Sequence, residues 1–363
     1  MQILKEGKLQ DYNNDLLINN GKVSFKEGNS ISISDNAEYI VPGFIDQHIH
    51  GAMGIDTMDH EKLDIFSKTL LKEGTTSFVP TTMTAPIDKV EEVIDYVHSF
   101  SKECDGANIL GVNVEGPFLD QKYKGAQNGK YIAVPTIEDI DRLNKDNFIR
   151  IITMAPEHDE NNTIKYMASK GITVSLGHSG ASTTVGNKAL EDGANCFTHL
   201  YNGMSGFNHR EPGLVVSALG SDAYVELISD GIHVHPEVLK YTYKTKGYEK
   251  CILVTDAVRA KAMENGEYEL GGQVIIKGDN DVRLENGSLA GSILTLNNAV
   301  KNIIEFTDCT KEEAFKMASL NPALNLGIKN KGILEEGYDF DVTVLDKDFN
   351  VLQVFVNGEE KNI

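Results

Sequence analysis

Short apolar segments alternate with amphipathic helical segments along the middle of the chain. The apolar segments are typical of buried strands and lie at 43–48, 76–81, 108–115, 149–155, 172–178, 195–199, 225–233 and 251–257. Between them apolar residues recur at helical spacing, as at Leu63, Phe66 and Leu70, before Gly74 ends the segment. These repeated strand–helix units predict an α/β fold, a (β/α)8 TIM-like barrel. An open doubly wound sheet is the alternative, although no Gly-x-Gly-x-x-Gly motif follows the first strand.

The two ends of the chain have the period-two pattern of short β-strands. Residues 1–42 contain alternating segments such as Ile31–Ile33, separated by turn sequences. Residues 332–363 have the same character, with a further strand predicted at Val351–Val356. We therefore predict one small sheet domain assembled from 1–42 and 332–363, and a barrel domain over 43–331.

Composition narrows the classes of function. The formal net charge of −20 argues against nucleic acid or an anionic membrane as the main partner. A local cationic cluster could still bind a small anion, because distant charges are screened. The four cysteines form no C-x-x-C pair, and no apolar run approaches the roughly 18 residues of a membrane span. With no signal-peptide pattern at the start, these features predict a cytoplasmic protein.

The first predicted strand ends in a His-x-His pair. In a strand, residues i and i+2 point to the same face, so His48 and His50 can direct two imidazoles at one point. Such convergence suits a bound metal ion. In a barrel these histidines would lie among the loops where active sites are built. The alternative is that two histidines fall close together by chance.

Metal-competent side chains also recur at the ends of the later predicted strands: Glu115, His178, His199, His233 and Asp256. Each alone could be structural, with a histidine bonded to a backbone carbonyl, but one barrel rim would bring all of them together. Imidazole and carboxylate ligands suit zinc or iron, with a position left open for water. Asp256 is suited to accept a proton from that water and pass it to a leaving nitrogen, or to act as a further ligand.

Several motifs in combination indicate a family. They are Pro42–His50, Asn113–Phe118, Gly177–Ser179, Thr198–Met204, Arg210–Gly213, Asp230–His233, Thr255–Ala257 and Ala290–Ser292. Together, from about Val41 to Leu345, they resemble the N-acetylglucosamine-6-phosphate deacetylase family of the amidohydrolase superfamily. The resemblance implies that the small domain is a β-sandwich. It also implies a metal-dependent hydrolase of amino-sugar catabolism that deacetylates N-acetyl-D-glucosamine 6-phosphate to D-glucosamine 6-phosphate and acetate.

The resemblance also implies roles for single residues. Glu115, His178 and His199 match the metal ligands, and Asp256 matches the catalytic aspartate. His48 and His50 would decide whether one or two metal ions, zinc or iron, bind per subunit. The matched substrate-binding positions are Ala126, Gln127, Asn202, Gly203, Arg210, His233, Ala290, Gly291 and Ser292.

Two of these positions need comment. Gln127 stands where family members commonly carry histidine, so it can donate a hydrogen bond to a substrate oxygen but cannot carry a positive charge. Arg210 matches the guanidinium that pairs with the sugar phosphate, a contact that suits its two-pronged donor geometry. Without the motif, a surface ion pair of Arg210 with Glu211 or another carboxylate would be the preferred interpretation.

The sequence leaves other functions open. The same site could deacetylate N-acetylgalactosamine 6-phosphate or cleave another small amide. A non-catalytic barrel protein is disfavoured, because such a protein would be expected to lose ligands or the base. The resemblance further implies a homodimer in which a partner residue completes the phosphate site, and the sequence does not decide whether Arg210 or His233 crosses.

Overall fold

The computed structural model describes residues 1–12, 16–59 and 62–363. The chain begins with short strands: β1 (Gln2–Lys5), β2 (Lys8–Asp11), β3 (Leu16–Asn19), β4 (Lys22–Ser24), β5 (Asn29–Ile31) and β6 (Tyr39–Pro42). The middle strands are β7 (Phe44–Ile49), β8 (Gly51–Ala52), β9 (Ile55–Asp56), β10 (Thr75–Thr82), β11 (Asn108–Ile109), β12 (Val112–Glu115), β13 (Ile149–Met154), β14 (Thr173–Leu176), β15 (Cys196–Phe197), β16 (Tyr224–Leu227), β17 (Cys251–Leu253), β18 (Gly266–Leu270), β19 (Gln273–Lys277) and β20 (Val282–Leu284). The chain ends with β21 (Val342–Leu345), β22 (Val351–Val356) and β23 (Glu359–Lys361).

Helices lie between the strands of the middle region. They are α1 (Leu63–Leu71), α2 (Ile87–Ser101), α3 (Ile137–Leu143), α4 (Thr163–Ser169), α5 (Thr183–Glu191), α6 (Leu214–Gly220), α7 (Pro236–Lys246), α8 (Leu296–Phe306), α9 (Lys311–Ala318) and α10 (Leu320–Asn325). Short 3₁₀ turns occur at Thr57–Asp59, Gly129–Tyr131, Pro156–His158 and Tyr248–Lys250. None of the helices in the described ranges has the length and apolarity needed to cross a membrane.

The middle strands form a parallel barrel, as the sequence predicts. In the described residues β7, β10, β12, β13, β14, β15, β16 and β17 pair in that order, and β11 extends the third strand beside β10. All residues of β7 and β10 are buried, which fits strands covered on both faces. The last seam lies beyond β17, where Asp256 N–H donates to His48 O at 2.9 Å and His50 N–H donates to Ala257 O at 2.8 Å. These bonds bring the first and eighth strand ends together.

The chain ends form two further sheets. One has the order β2-β1-β6-β21-β22-β23, and the other has the order β4-β3-β5. Side chains alternate across the larger sheet, so Ile40 and Phe355 pack against the smaller sheet while Val41 and Val354 pack on the barrel. The predicted sheets from both ends are thus confirmed, although the boundaries 1–42, 332–363 and 43–331 stay a prediction.

An antiparallel sheet, β18-β19-β20, lies between β17 and α8 and was not expected from the sequence. Its apolar residues Leu270, Ile275 and Val282 pack with Met83 from the end region of β10. The signal in the sequence was the Gly271–Gly272 pair, a typical two-residue hairpin turn. This sheet covers one side of the barrel mouth.

The turn between α1 and β10 contains a glycine in the left-handed backbone conformation. Gly74 has φ +77°, and a Cβ there would lie 2.5 Å from Thr343 Cγ2. Gly171 follows α4 with the same φ of +77°, but a Cβ there would have no neighbouring atom within 4 Å. Comparing substitutions at Gly74 and Gly171 therefore distinguishes the cost of backbone strain from the cost of steric crowding.

We expect Gly74→Ala to lower the free energy of unfolding by about 1–3 kcal/mol more than Gly171→Ala, because only the first change also crowds a packed interface. Urea unfolding of both variants measures the difference. Equal losses would show that the contact between α1 and β21 relaxes without cost.

Candidate active site

A cavity with about 640 Å³ of empty space, partly open to solvent, lies at the carboxyl ends of the barrel strands. Most of the predicted site residues line it: His50, Glu115, Ala126, Gln127, His178, His199, Asn202, Gly203, His233, Asp256 and Gly291. His48, Ala290 and Ser292 are buried beside the lining, whereas Arg210 is exposed. The fold therefore brings the strand-end residues to one place.

Glu115 joins two groups of potential metal ligands. Its Oε1 lies 3.1 Å from Nε2 of His178 and 3.1 Å from Nε2 of His199. Its Oε2 lies 3.1 Å from Nε2 of His50. The ligand atoms of His48, His50 and Glu115 form one group, and those of Glu115, His178 and His199 form the other. A carboxylate shared in this way fits the bridge of a two-metal site.

The ring orientations of the histidines suit metal binding. Nδ1 of His178 donates to the carbonyl oxygen of Tyr123 at 2.8 Å, and Nδ1 of His50 donates to that of Thr81 at 3.2 Å. Since each Nδ1 carries the hydrogen, each Nε2 lone pair faces the cavity. Nε2 of His178 and Nε2 of His199 lie only 3.0 Å apart. Such convergent nitrogens suit a shared cation.

His48 gives an independent test of the fit. Its side chain is fully buried, and Nδ1 lies 2.8 Å from Oε2 of Glu226. Nε2 has no hydrogen-bond partner among the described residues, while oxygens of Glu115 and Asp256 lie 3.5 Å away. A buried nitrogen without a partner is costly unless it coordinates a cation. The donor set therefore fits a metal ion.

Local backbone geometry directs three of these side chains into the cavity. His178 has φ 47°, His199 has φ 31° and Asp256 has φ 48°, all in the left-handed region. Each such residue costs about 1–3 kcal/mol, and such strain concentrates at functional sites. All three lie two or three residues after the end of a short barrel strand. The strain turns each side chain toward the mouth instead of continuing the sheet.

The electrostatics favour a cation in the cavity. Burial opposes the charged form of His50, but hydrogen bonds to Asp256 and Glu115 raise its pKa to about 9. Burial would raise the pKa of Glu115, yet the charge of His48 holds it well below the usual range. Burial would also raise the pKa of Asp256, but the charges of His48 and His50 and the hydrogen bond to His50 lower it. The carboxylates thus remain ionised and able to ligate a metal ion.

The Ala290–Ser292 loop holds Asp256 in place through the backbone. Ser292 N–H donates to the carbonyl oxygen of Asp256 at 2.8 Å. Gly291 lines the cavity with φ +62°, and a Cβ there would lie 2.9 Å from that same carbonyl oxygen. The loop therefore contributes close backbone packing, which the sequence motif alone did not reveal.

Gln127 is engaged by protein groups within the cavity. Its Oε1 accepts a hydrogen bond from Thr84 N–H at 2.7 Å, which fixes the orientation of the amide. Its Nε2 consequently donates to Oε2 of Glu115 at 2.7 Å. The amide orients the shared carboxylate, and its predicted contact to substrate stays a prediction.

Two further predicted residues, Asn202 and His233, line the cavity, and their side chains each already contact another protein group. Nδ2 of Asn202 donates to the carbonyl oxygen of His199 at 3.1 Å. Nδ1 of His233 lies 2.6 Å from Oδ2 of Asp230. Burial opposes the charged form of His233, but Asp230 raises its pKa. Asp230 therefore favours the positively charged form of His233, which lines the cavity of its own chain.

Arg210 is not brought to this cavity. It is exposed in the loop before α6, and Asn208 caps its backbone N–H at 2.9 Å. Its guanidinium forms no ion pair with a described residue, so the alternative pair with Glu211 is also not formed. Its predicted role at a phosphate stays a prediction.

Sequence reasoning missed two features of the site. Met83, Leu270 and Leu289 form an apolar part of the lining, and Leu270 comes from the unexpected sheet. Glu226 lies behind the site and is fully buried. Its signal was an acidic residue between the apolar residues Val225 and Leu227, at the start of the predicted strand 225–233.

A barrel with metal-competent side chains at its strand ends is typical of metal-dependent hydrolases, and comparison with known proteins agrees with this class. The sequence profile of the Amidohydrolase family matches residues 39–361. The chain therefore belongs to the amidohydrolase family.

The similar proteins narrow the class further. The chain is 42% identical over 333 residues to an N-acetylglucosamine-6-phosphate deacetylase from Lysinibacillus sphaericus, covering 90% of this chain and 86% of that protein. It is 34% identical to an N-acetylgalactosamine-6-phosphate deacetylase from Escherichia coli O157:H7, covering 98% and 96%. The crystal structure of the N-acetylglucosamine-6-phosphate deacetylase from Thermotoga maritima superimposes with a TM-score of 0.88 at 32% identity, covering 95% and 94%. The resemblance stated from the motifs is confirmed.

Replacing both His48 and His50 by alanine is expected to lower the metal content, because Glu115 would lose two partners of one ligand group. Metal per subunit is measured by mass spectrometry after dialysis against metal-free buffer. His98→Ala is the matched control, since His98 is a half-buried histidine on α2 beside Asp146 and belongs to neither ligand group. Unchanged stoichiometry in the double variant would make the His-x-His pair structural.

Proposed function

We propose that this chain removes acetate from N-acetyl-D-glucosamine 6-phosphate and releases D-glucosamine 6-phosphate. The observation that carries the proposal is the convergence of Glu115, His178, His199 and Asp256 at the barrel mouth. The named activity of the similar proteins supplies the substrate class. Water supplies the oxygen that the acetate gains, and the C–N bond of the amide breaks.

Glu115, His178 and His199 would hold one metal ion, zinc or iron, and His48 and His50 would allow a second beside it. When bound, such an ion polarises an amide carbonyl and lowers the pKa of a water molecule.

Asp256 is proposed as the proton carrier. Its side chain is 12% exposed, so one edge reaches the cavity while the rest is fixed in the protein. Because its pKa is lowered, the carboxylate is free to accept a proton from the attacking water. It then delivers this proton to the nitrogen of the departing amine, which leaves as a neutral group.

We propose that the remaining lining contacts the sugar. Ala126, Gln127, Asn202, Gly203 and His233 would bind the sugar and its phosphate, and the Ala290–Ser292 loop would face the acetamido group. Their position around one cavity beside the ligand groups supports this arrangement.

The phosphate site is proposed to need two copies of the chain. His233 lines the cavity of its own chain, whereas Arg210 is exposed outside it. An exposed guanidinium without an ion pair to described residues is available for a bidentate contact with phosphate. We therefore propose a homodimer in which Arg210, and not His233, reaches the partner's cavity.

A second substrate is favoured by one observation, the similarity to the galactosamine enzyme from Escherichia coli O157:H7. The two phosphosugars differ only at C4. Acetate release measured with both isomers decides between them. A higher kcat/KM for the galactosamine isomer would replace the proposed substrate with the alternative.

A cytoplasmic location is part of the proposal. Cys104, Cys196, Cys251 and Cys309 are all free. Free, mostly buried thiols suit a reducing compartment.

Asp256→Asn is expected to reduce kcat for acetate release by about 10²- to 10⁴-fold, because the amide has nearly the same shape but cannot accept the proton. Metal content is measured in the same samples, so that loss of metal is not mistaken for loss of the base. Turnover near the wild-type value with metal retained would contradict the assigned role.

Arg210→Ala is expected to raise KM for the phosphosugar by about 10- to 100-fold, since a charge-assisted bond is lost, and to change KM for the unphosphorylated sugar little. Arg142→Ala is the control, because Arg142 is exposed and pairs with Asp88 and Glu91 on the barrel exterior. Equal losses for both sugars would contradict the phosphate contact.

Mixing two kinds of variant subunit tests directly whether Arg210 reaches the partner's cavity. Arg210→Ala and Asp256→Asn subunits are each impaired, but a mixed dimer has one cavity with intact Asp256 and a partner's intact Arg210. Recovered activity at low phosphosugar concentration is expected. No recovery from subunits shown to exchange would place Arg210 at its own chain's cavity.

A further inference from the structure

Glu226 lies on β16, directly behind the ligand groups, and is fully buried. Its Oε1 accepts a hydrogen bond from Nε2 of Gln47 at 2.7 Å. Its Oε2 accepts one from Nδ1 of His48 at 2.8 Å and one from the backbone N–H of His199 at 3.2 Å. The carboxylate thus meets three donors, and no lysine or arginine of the described residues pairs with it.

The donors around Glu226 are themselves fixed. Oε1 of Gln47 accepts from Nδ2 of Asn325 at 3.0 Å, so Nε2 of Gln47 must face Glu226. The carbonyl oxygen of Asn325 accepts from Oγ1 of Thr173 at 2.7 Å. Asn325 ends α10, the helix whose Ala323 packs with Ile45 in the barrel interior. A buried chain of hydrogen bonds therefore connects this helix to the ligand groups.

We propose that Glu226 is a positioning residue for the metal centre, an inference that rests on the proposed function. Both carboxylate oxygens of Glu226 face donors and act as acceptors, so the side chain keeps the hydrogen of His48 on Nδ1 and directs the Nε2 lone pair toward Glu115 and Asp256. The same oxygen holds the backbone of His199, whose φ is 31°. One carboxylate thereby couples a ligand from each group.

The hydrogen-bond geometry also explains why glutamine cannot replace Glu226. In Glu226→Gln, one oxygen becomes an NH₂ group, which would face either Nε2 of Gln47 or Nδ1 of His48. Either arrangement sets a donor against a donor in a buried site. Relief requires the His48 ring to change tautomer or turn, and both changes disturb Nε2.

The test compares the wild-type protein with Glu226→Gln and with Glu73→Gln. Glu73 is an equally buried carboxylate, bound to Lys261 at 2.7 Å and to the backbone N–H of Leu296 at 3.1 Å, and it belongs to neither ligand group. Cobalt(II) is titrated into each metal-free protein by calorimetry, and the visible absorption of the loaded proteins is recorded. Thermal unfolding of the metal-free proteins is measured in parallel.

Glu226→Gln is expected to weaken cobalt binding at the group containing His48 by about 10- to 100-fold and to change the absorption spectrum. Glu73→Gln should lower stability while leaving affinity and spectrum unchanged. Wild-type affinity and spectrum in Glu226→Gln, with lowered stability alone, would overturn the proposal. Should Glu226→Gln fail to fold, Glu226→Asp gives the same comparison, because it keeps the charge but withdraws the carboxylate from His48.

The proposed function fails in a different way. If the wild-type protein bound no cobalt at all, the proposed function would fail. If it bound cobalt but not through His48, as judged against His48→Ala, the second metal position would be wrong and the role of Glu226 with it, while a single metal at Glu115, His178 and His199 would stand. If only the variant comparison gave no difference, the metal centre would stand and the positioning role would be overturned.

Discussion

The carboxylate of Glu115 is the group on which the arrangement of the barrel mouth depends. Four imidazoles from three strand ends and the amide of Gln127 all point toward its two oxygens. So many polar groups in a buried space are costly unless each has a partner. A cation between them would satisfy the facing lone pairs, so the local energetics favour the same ion that the proposed hydrolysis would use.

The groups behind the ligands hold this arrangement in place. His50 and His178 donate to backbone carbonyls, while His48 donates to Glu226. Because each outer contact fixes a hydrogen on Nδ1, the inner nitrogens are oriented before any ion arrives. The orientations of these imidazole rings are therefore restricted. Backbone strain is present close by, at His178, His199 and Asp256.

Much of this could be predicted from the sequence, for identifiable reasons. Parallel strands buried on both faces are short apolar segments, and a barrel brings their ends together, so Glu115, His178 and His199 could be grouped without coordinates. The contacts of Gln127 and Glu226 could not, since they depend on which distant residue happens to face each amide or carboxylate. The location of Arg210 outside the cavity also depends on a loop conformation that no periodicity encodes.

The closing seam of the barrel has a consequence for its dynamics. The backbone hydrogen bonds that join His48 and His50 to Asp256 and Ala257 close the sheet at the point where the potential metal ligands and Asp256 meet. A ligand that bridges these residues also clamps the two edges of the sheet. Binding of such a ligand should therefore slow amide hydrogen exchange along the first and eighth strands. Local opening of the barrel would then depend on whether the site is occupied.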